Sequence, residues 1–240
     1  MGRVLAIASR EASSMFRLPV GWLVIALYLF LSGALFAMVS LVPGAPASLR
    51  DFFAVSSWLL MIVAPAVSMR LLAEEARAGS IEPLLTSPAD EASIVLGKFL
   101  GACAFMLAML APTLVLPATL WAFTDPAPDP GPILTGYLSL VLQGALYLAL
   151  GTAASAATSS QTLAYLATLF PVLALLLAAR VPLDVLPAWS AKLIGWFSIP
   201  RRTIDLSRGV IDSSHICFFL AASAWCLVLA WALLCRRRWR

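Results

Sequence analysis

The most polar stretch of the chain is "EEARAGSIEPLLTSPADE", residues 74–91, and it separates two long apolar segments. Six of its eighteen residues are charged, whereas only 12% of the 240-residue chain is charged. A soluble domain is ordinarily about one-quarter charged and about half apolar, but this chain is 62% hydrophobic. Charge is therefore confined to short stretches between continuous apolar blocks, which is typical of a protein that crosses a membrane.

Six apolar blocks are long enough to cross a bilayer, because about 20 helical residues cover about 30 Å of hydrocarbon. None of these blocks contains Asp, Glu, Lys, Arg or His. Lipid offers no partner to backbone polar groups, so each block is expected to be helical. The sequence thus predicts an all-α membrane protein with a single domain, residues 1–240. Its predicted spans are residues 20–42, 52–69, 99–123, 133–156, 162–179 and 216–234.

The basic residues indicate the orientation of these spans, since Lys and Arg favour the cytoplasmic side of short flanking segments. If the spans alternate in direction, residues 1–17, 70–98 and the C-terminal tail share one side. They hold three, three and four of the 16 basic residues. We therefore expect both termini and the loop of residues 70–98 to be cytoplasmic, and residues 180–215 to lie on the other side.

Two further segments outside the spans have an amphipathic pattern. In residues 1–17, Val4, Leu5 and Ala8 fall on one helical face while Arg3 and Arg10 fall elsewhere. This pattern predicts an interfacial amphipathic helix, with a simple helical lead-in to the first span as the alternative. Residues 180–215 mix tryptophan and other apolar side chains with basic ones, which predicts an interfacial or re-entrant segment.

The centre of the loop of residues 70–98 has a shape of its own. Ser80 can cap a short helix in which Ile81, Leu84 and Leu85 fall at positions i, i+3 and i+4, on one face. Pro88 suits the first position of the next helix. The three aliphatic side chains either pack against the protein's own helices or contact a cytoplasmic partner. The residues alone do not distinguish between these two possibilities.

Polar and small residues within the spans also allow two interpretations. Gln143 is the most polar side chain near the centre of a span. It either forms a hydrogen bond between helices, which we favour, or lines a path through the membrane. The fourth span is rich in glycine and alanine, which allow helix backbones to approach closely. We attribute these small residues to packing within the fold rather than to a dimer interface.

Several kinds of chemistry are not supported by the sequence. There is no G-x-x-x-x-G-K-[ST] phosphate-binding loop, so we expect this chain not to hydrolyse ATP and not to be an enzyme. His215 is the only histidine, and the four cysteines form no C-x-x-C pair, so no metal site is expected. The spans lack the ionisable residues of proton relays, which argues against a transporter driven by an ion gradient. No cofactor and no nucleic-acid partner are expected.

The polar loop and the start of the next span resemble the cytoplasmic loop of ABC exporter permeases of the second type, and above all the gliding-motility branch of these permeases. Ser80 stands where the family usually has threonine, and either residue can cap a helix. Pro83 is less usual for the family. The stretch "DLSRGVIDSSHICFFL", residues 205–220, also resembles the stretch that enters the family's last span. The matching loop positions are Glu74, Glu75, Arg77, Gly79, Ser80, Ile81, Glu82, Leu84, Leu85, Pro88, Gly97 and Lys98.

The resemblance implies a function. Two permease subunits, either identical or related, would form the membrane path of an exporter in the bacterial inner membrane. A separate P-loop ATPase that binds ATP and magnesium would dock on the loop. Ile81, Leu84 and Leu85 would be its apolar anchors, with Glu74, Glu75, Arg77 and Glu82 at the rim. Residues 180–215 would be available to an extracytoplasmic accessory protein. The alternative is a membrane scaffold that anchors a cytoplasmic or surface machine without transporting anything.

Overall fold

The computed structural model describes residues 2–40, 48–79, 90–124, 128–180 and 195–238. Throughout these ranges the regular structure is helical, and no strand is present. The helices are α1 (Gly2–Arg17), α2 (Pro19–Ser40), α3 (Arg50–Ser68), α4 (Ala73–Arg77), α5 (Glu91–Leu110), α6 (Val115–Phe123), α7 (Pro130–Ala157), α8 (Gln161–Ala178), α9 (Ile199–Ser207) and α10 (Ser213–Arg238). A 3₁₀ turn, Ala111–Leu114, joins α5 to α6.

The predicted all-α fold with six spans is confirmed. Within the described ranges, six helical stretches are long and apolar enough to cross a membrane. They are α2, the stretch Arg50–Arg77 that contains α3 and α4, the stretch Glu91–Phe123 that contains α5 and α6, then α7, α8 and most of α10. The protein is therefore a multi-pass membrane protein.

Helix α7 forms the centre of the bundle, where it packs against α3, α5, α8, α9 and α10. Three of its glycines allow neighbouring helices to approach. A Cβ atom would meet the Phe53 ring at Gly136, the Met106 sulfur at Gly144 and the Ser68 hydroxyl at Gly151. The small residues of the fourth span therefore pack against side chains of the same chain.

Prolines interrupt the third span, where the backbone tightens into the 3₁₀ turn around Pro112. Pro117 has no N–H with which to bond the carbonyl of Thr113, four residues earlier. The Tyr137 hydroxyl on α7 donates a hydrogen bond of 2.8 Å to that same carbonyl. A neighbouring helix thus supplies a donor to this carbonyl in place of the N–H that proline lacks, which lipid could not do.

The helix of the second span does not continue unbroken to Gly79, although the sequence that follows the span, "RLLAEEARA", is compatible with a continuous helix. Helix α3 ends at Ser68, a turn covers residues 69–72, and the short helix α4 follows. The reason is a competing partner, because the Ser155 side chain on α7 bonds the backbone of the turn in place of a helical neighbour. Gly79 follows α4 with a φ of +68°, a backbone conformation that glycine tolerates best.

Candidate functional site

The residues predicted to couple the chain to a partner fall only partly within the described ranges. Glu74, Glu75 and Arg77 lie on α4, and Gly79 follows it. The remaining predicted coupling residues lie outside the described residues: Ser80, Ile81, Glu82, Leu84, Leu85 and Pro88. The site can therefore be built from its first part, α4, and from the helices that hold α4.

Helix α4 begins at a fixed place because Ser155 caps it. The Ser155 Oγ accepts hydrogen bonds from the backbone N–H groups of Leu72, at 3.0 Å, and Ala73, at 2.8 Å. The same hydroxyl donates to the carbonyl of Met69 at 2.9 Å. Ser155, Leu72 and Ala73 are completely buried. A helix start leaves N–H donors without partners, so this one side chain fixes where α4 begins and ties it to α7.

A buried lysine joins α4 to two other helices. The Lys98 Nζ on α5 lies 2.8 Å from Glu75 Oε1 on α4 and 3.1 Å from Glu11 Oε2 on α1. The Lys98 side chain is 5% exposed, and those of Glu11 and Glu75 are 15% and 17% exposed. A charge this far from water requires partners of opposite charge. We call Glu11, Lys98 and Glu75 the charge cluster; it binds α1, α4 and α5 together.

Helix α1 lies directly against α5, in a groove formed by glycines. A Cβ atom at Gly97 would lie 2.7 Å from Ile7 Cβ. One at Gly101 would lie 2.7 Å from Glu11 Cβ and 2.9 Å from the Ala8 carbonyl oxygen. Such distances are below van der Waals contact, so only glycine permits this approach. The N-terminal segment is a helix as predicted, and its place in the membrane interface stays a prediction.

The two glutamates of α4 have different surroundings. Glu75 faces inward to Lys98, whereas Glu74 is exposed, as is Arg77. Neither Glu74 nor Arg77 forms an ion pair with any residue that the structure describes. Helix α4 is therefore held by one carboxylate and presents a second carboxylate and a guanidinium outward.

Gln143 lies near the middle of α7 and forms hydrogen bonds there, whereas its role in a path through the membrane stays a prediction. The Ser57 hydroxyl on α3 donates to Gln143 Oε1 at 2.9 Å, and Gln143 Nε2 donates to the Tyr147 hydroxyl at 2.8 Å. The amide therefore bonds between α3 and α7. It also lines a cavity of about 270 Å³ that opens between α3, α7, α8 and α9.

One wall of that cavity, α9, is tied to α10 by polar contacts. The His215 Nε2 lies 3.5 Å from Asp205 Oδ2, and Arg202 donates from Nη1 to His215 Nδ1 at 3.2 Å. The guanidinium of Arg202 also stacks over the Phe218 ring at 4.1 Å. Beside them, the backbone N–H of Ser214 bonds Asp212 and lowers the pKa of that carboxyl below its usual value. These contacts set the position of α9 relative to α10.

Sequence reasoning missed Glu11 and Ser155, and it assigned Lys98 only to the motif. The signal for Lys98 was present, since it is a lone cation at the start of an apolar helix, where a charge is costly without a partner. Its partner Glu11 lies 87 residues away along the chain. Ser155 is one of many small polar residues in its span. Neither pairing can be read from spacing along the sequence.

Comparison with known proteins gives one family match. The family model described as "ABC-2 family transporter protein" matches residues 5–193, which contain the whole charge cluster, Ser155 and Gln143. No curated protein matched the chain. The match covers well over half of the chain and, together with the six apolar helices, identifies it as a membrane subunit. The chain belongs to the ABC-2 transporter family, as a permease subunit of an ABC transporter.

Proposed function

We propose that this permease exports its substrate by means of ATP hydrolysed on a separate P-loop ATPase, which docks on residues 74–88. The observation that carries the proposal is the anchoring of α4. Ser155 ties its start to α7, and the charge cluster ties its middle to α5 and α1. A partner that moved α4 would move three other helices with it, as rigid-body coupling requires.

The outward face of α4 supports docking at this place. Glu74 and Arg77 are exposed and offer one charge of each sign, which suits the polar rim of an interface. The apolar anchors of the proposed interface are Ile81, Leu84 and Leu85, as the resemblance implies. Glu82 completes the polar rim on the same basis. ATP and its magnesium ion would be bound by the partner and not by this chain.

We further propose that α4 and both termini are cytoplasmic and that the protein acts in the bacterial inner membrane. The support is the distribution of Lys and Arg between the two sides. The permease would work as a dimer with a second copy or a related chain. The complex would serve either the export of a substrate or the assembly of a surface or gliding machine.

Affinity purification tests the ATPase proposal. Tagged protein would be isolated from its native membrane in a mild detergent and analysed by mass spectrometry. We expect a P-loop ATPase in stoichiometric amount, which is lost from Leu84→Asp and retained by Leu84→Met, the matched variant of similar volume. Intact, folded permease that brings no ATPase would refute the proposed coupling.

Reconstitution of the purified complex in liposomes then separates an exporter from a scaffold. ATP-dependent movement of a co-purified cargo across the bilayer is the expected result. ATP hydrolysis that proceeds without any such movement, with a machine protein bound instead, would support the scaffold. The inactive control is a complex with a catalytically inactive ATPase.

A further inference from the structure

The cavity next to Gln143 is lined by residues that have no part in the proposed docking of the ATPase. It opens between the N-terminal part of α3, the C-terminal end of α8 and the whole of α9. These helix ends lie at the end of the bundle opposite α4. The volume, about 270 Å³, is near the lower limit of about 300 Å³ for small-molecule sites. It is large enough to hold part of an elongated ligand.

The rim of the cavity is strongly cationic. Three arginines line it, Arg50 at the start of α3, Arg180 just after α8 and Arg208 just after α9, and Asp51 is the one carboxylate among the lining residues. All three arginines are exposed, and none forms an ion pair with a residue that the structure describes. The three arginines outnumber the carboxylate of Asp51, so the rim of this cavity carries an excess of positive charge.

The interior of the cavity differs from its rim. Apolar side chains from three helices form its walls: Phe53 and Trp58 on α3, Leu176 on α8, and Ile204 on α9. Gln143 and Ser57 lie at the polar floor. Gln143 lies thirteen residues after Pro130, the start of α7, which at about 1.5 Å per residue places it about 20 Å along that helix. The cavity thus runs from a charged rim to a depth within the apolar part of the bundle.

A second cavity adjoins the first and shares the cationic rim. It also measures about 270 Å³ and is lined in part by the same residues, Arg50, Phe53, Ser207 and Arg208. Its own lining adds Ser48 and Asp129 and is more polar. Arg50 and Arg208 therefore lie between a polar compartment and a mainly apolar one.

We propose that this pair of cavities binds an amphiphile with an anionic headgroup, a phosphate or carboxylate. The headgroup would lie against Arg50, Arg180 and Arg208, and the first part of the apolar chain would lie against Phe53, Trp58 and Leu176. Guanidinium groups bind phosphate and carboxylate through paired, charge-assisted hydrogen bonds. The proposal concerns this chain alone, so it does not rest on the proposed ATPase coupling.

The arrangement favours an amphiphile over a free anion and over a neutral lipid. A free anion would gain nothing from the aromatic and aliphatic walls, and a neutral lipid would leave the guanidinium groups without a partner. A general preference of surface arginines for a charged bilayer is a different effect. It would not distinguish the rim arginines from other arginines at the same end of the bundle.

Arg201 provides the matched control for that distinction. It lies on α9, it is exposed like Arg208, and it does not line either cavity. Arg201→Gln and Arg208→Gln therefore remove the same charge from the same part of the molecule. Ala54→Trp gives a variant of another kind, since Ala54 lines the first cavity and is exposed, so the larger side chain fills the cavity without changing any charge.

Native mass spectrometry measures the binding directly. The purified chain, in a neutral detergent, would be equilibrated with phosphatidylglycerol and phosphatidylcholine in equal amounts. We expect phosphatidylglycerol to be retained selectively. Retention should fall about tenfold in Arg208→Gln, the equivalent of one lost charge-assisted contact of about 1.4 kcal/mol. It should fall likewise in Arg50→Gln, Arg180→Gln and Ala54→Trp, and persist in Arg201→Gln.

Competition identifies the form of the anion. Dodecyl phosphate should displace the retained lipid at concentrations at which inorganic phosphate does not. Equal displacement by inorganic phosphate would refute the proposal that the ligand is an amphiphile. Equal loss in Arg201→Gln and Arg208→Gln, or equal retention of the two lipids by the unaltered chain, would overturn the site. Size-exclusion profiles that match the unaltered chain establish that each variant is folded.

Discussion

Replacing Lys98 with methionine removes the cation of the charge cluster and leaves two carboxylates beside each other. Both carboxylates are more than four-fifths buried, so water compensates them poorly. Removal of one member of a buried ion pair costs about 3–5 kcal/mol. For a chain of this length each kcal/mol lowers the midpoint of thermal unfolding by about 2–4 °C. We therefore expect Lys98→Met to lower the melting temperature by about 6–20 °C.

The neutral form of the whole cluster separates stability from coupling. In Lys98→Met combined with Glu11→Gln and Glu75→Gln, no buried charge is left without a partner. Breaking a buried ion pair is costly because it leaves an uncompensated charge, and a cluster without any charge does not carry that cost. The triple variant should therefore recover most of the lost melting temperature. It should still couple ATP hydrolysis to export poorly, because α4 is no longer joined to α5 and α1 by charge.

Thermal unfolding in detergent, followed by tryptophan fluorescence, gives the stability of each variant, and transport per ATP hydrolysed in liposomes gives the coupling. Glu74→Gln is the control for the melting temperature, since Glu74 is on the same short helix but exposed. It should leave the melting temperature unchanged within about 2 °C, as surface substitutions usually do. A melting temperature of Lys98→Met equal to that of the unaltered chain would refute the electrostatic argument. A triple variant no more stable than the single one would refute it equally.

Three other substitutions test the helix contacts around this site. Gly101→Ala should force α1 away from α5, because the new Cβ would lie 2.9 Å from the Ala8 carbonyl oxygen. Thermal unfolding should show a loss of about 1–3 kcal/mol in the free energy of unfolding. Gly33→Ala, whose Cβ would meet nothing within 4 Å, should cause no such loss. Ser155→Ala should lower the stability by about 1–3 kcal/mol, because the buried N–H groups of Leu72 and Ala73 lose their acceptor. Protease cleavage near α4 should become faster in this variant. Ser155→Thr keeps the hydroxyl, so it should be cleaved more slowly than Ser155→Ala. Tyr137→Phe should lower the stability by about 0.6 kcal/mol, an average value for such bonds in membranes, because it removes the donor to the Thr113 carbonyl. If Tyr137→Phe combined with Pro117→Ala has the melting temperature of the unaltered chain, the helix can restore that bond by itself.

Most of the fold follows from the sequence, because a membrane allows few alternatives to a long apolar helix. The spans could be located from charge alone, since each has to satisfy its backbone internally. The end of the second span could not be located in this way. Its sequence, "RLLAEEARA", is compatible with a continuing helix, and only Ser155 on a distant helix provides the bonds that replace helical ones in residues 69–72. Local propensity was overridden there by a tertiary hydrogen bond.

The candidate site was predictable in its position but not in its construction. The polar stretch between apolar spans drew attention to residues 74–91, and the family resemblance implied that a partner docks there, which stays a proposal. The charge cluster could not be foreseen, because Glu11, Glu75 and Lys98 meet only after α1 has packed into the groove at Gly97 and Gly101. The cavity has the same origin, since Arg50, Arg180 and Arg208 come from three separate segments.

Helix α7 connects the surroundings of α4 to the cavity. It holds α4 through Ser155 at one end, and it carries Gln143 at the cavity floor twelve residues earlier, a separation of about 18 Å along a helix. Helix α3 makes the same connection, from Ser57 beside Gln143 to the turn before α4. Any displacement of α4 that shifts α7 against α3 must therefore strain the bond between Ser57 and Gln143. Because packed helices move as units rather than deform, this bond is where a movement of α4 would reach the cavity.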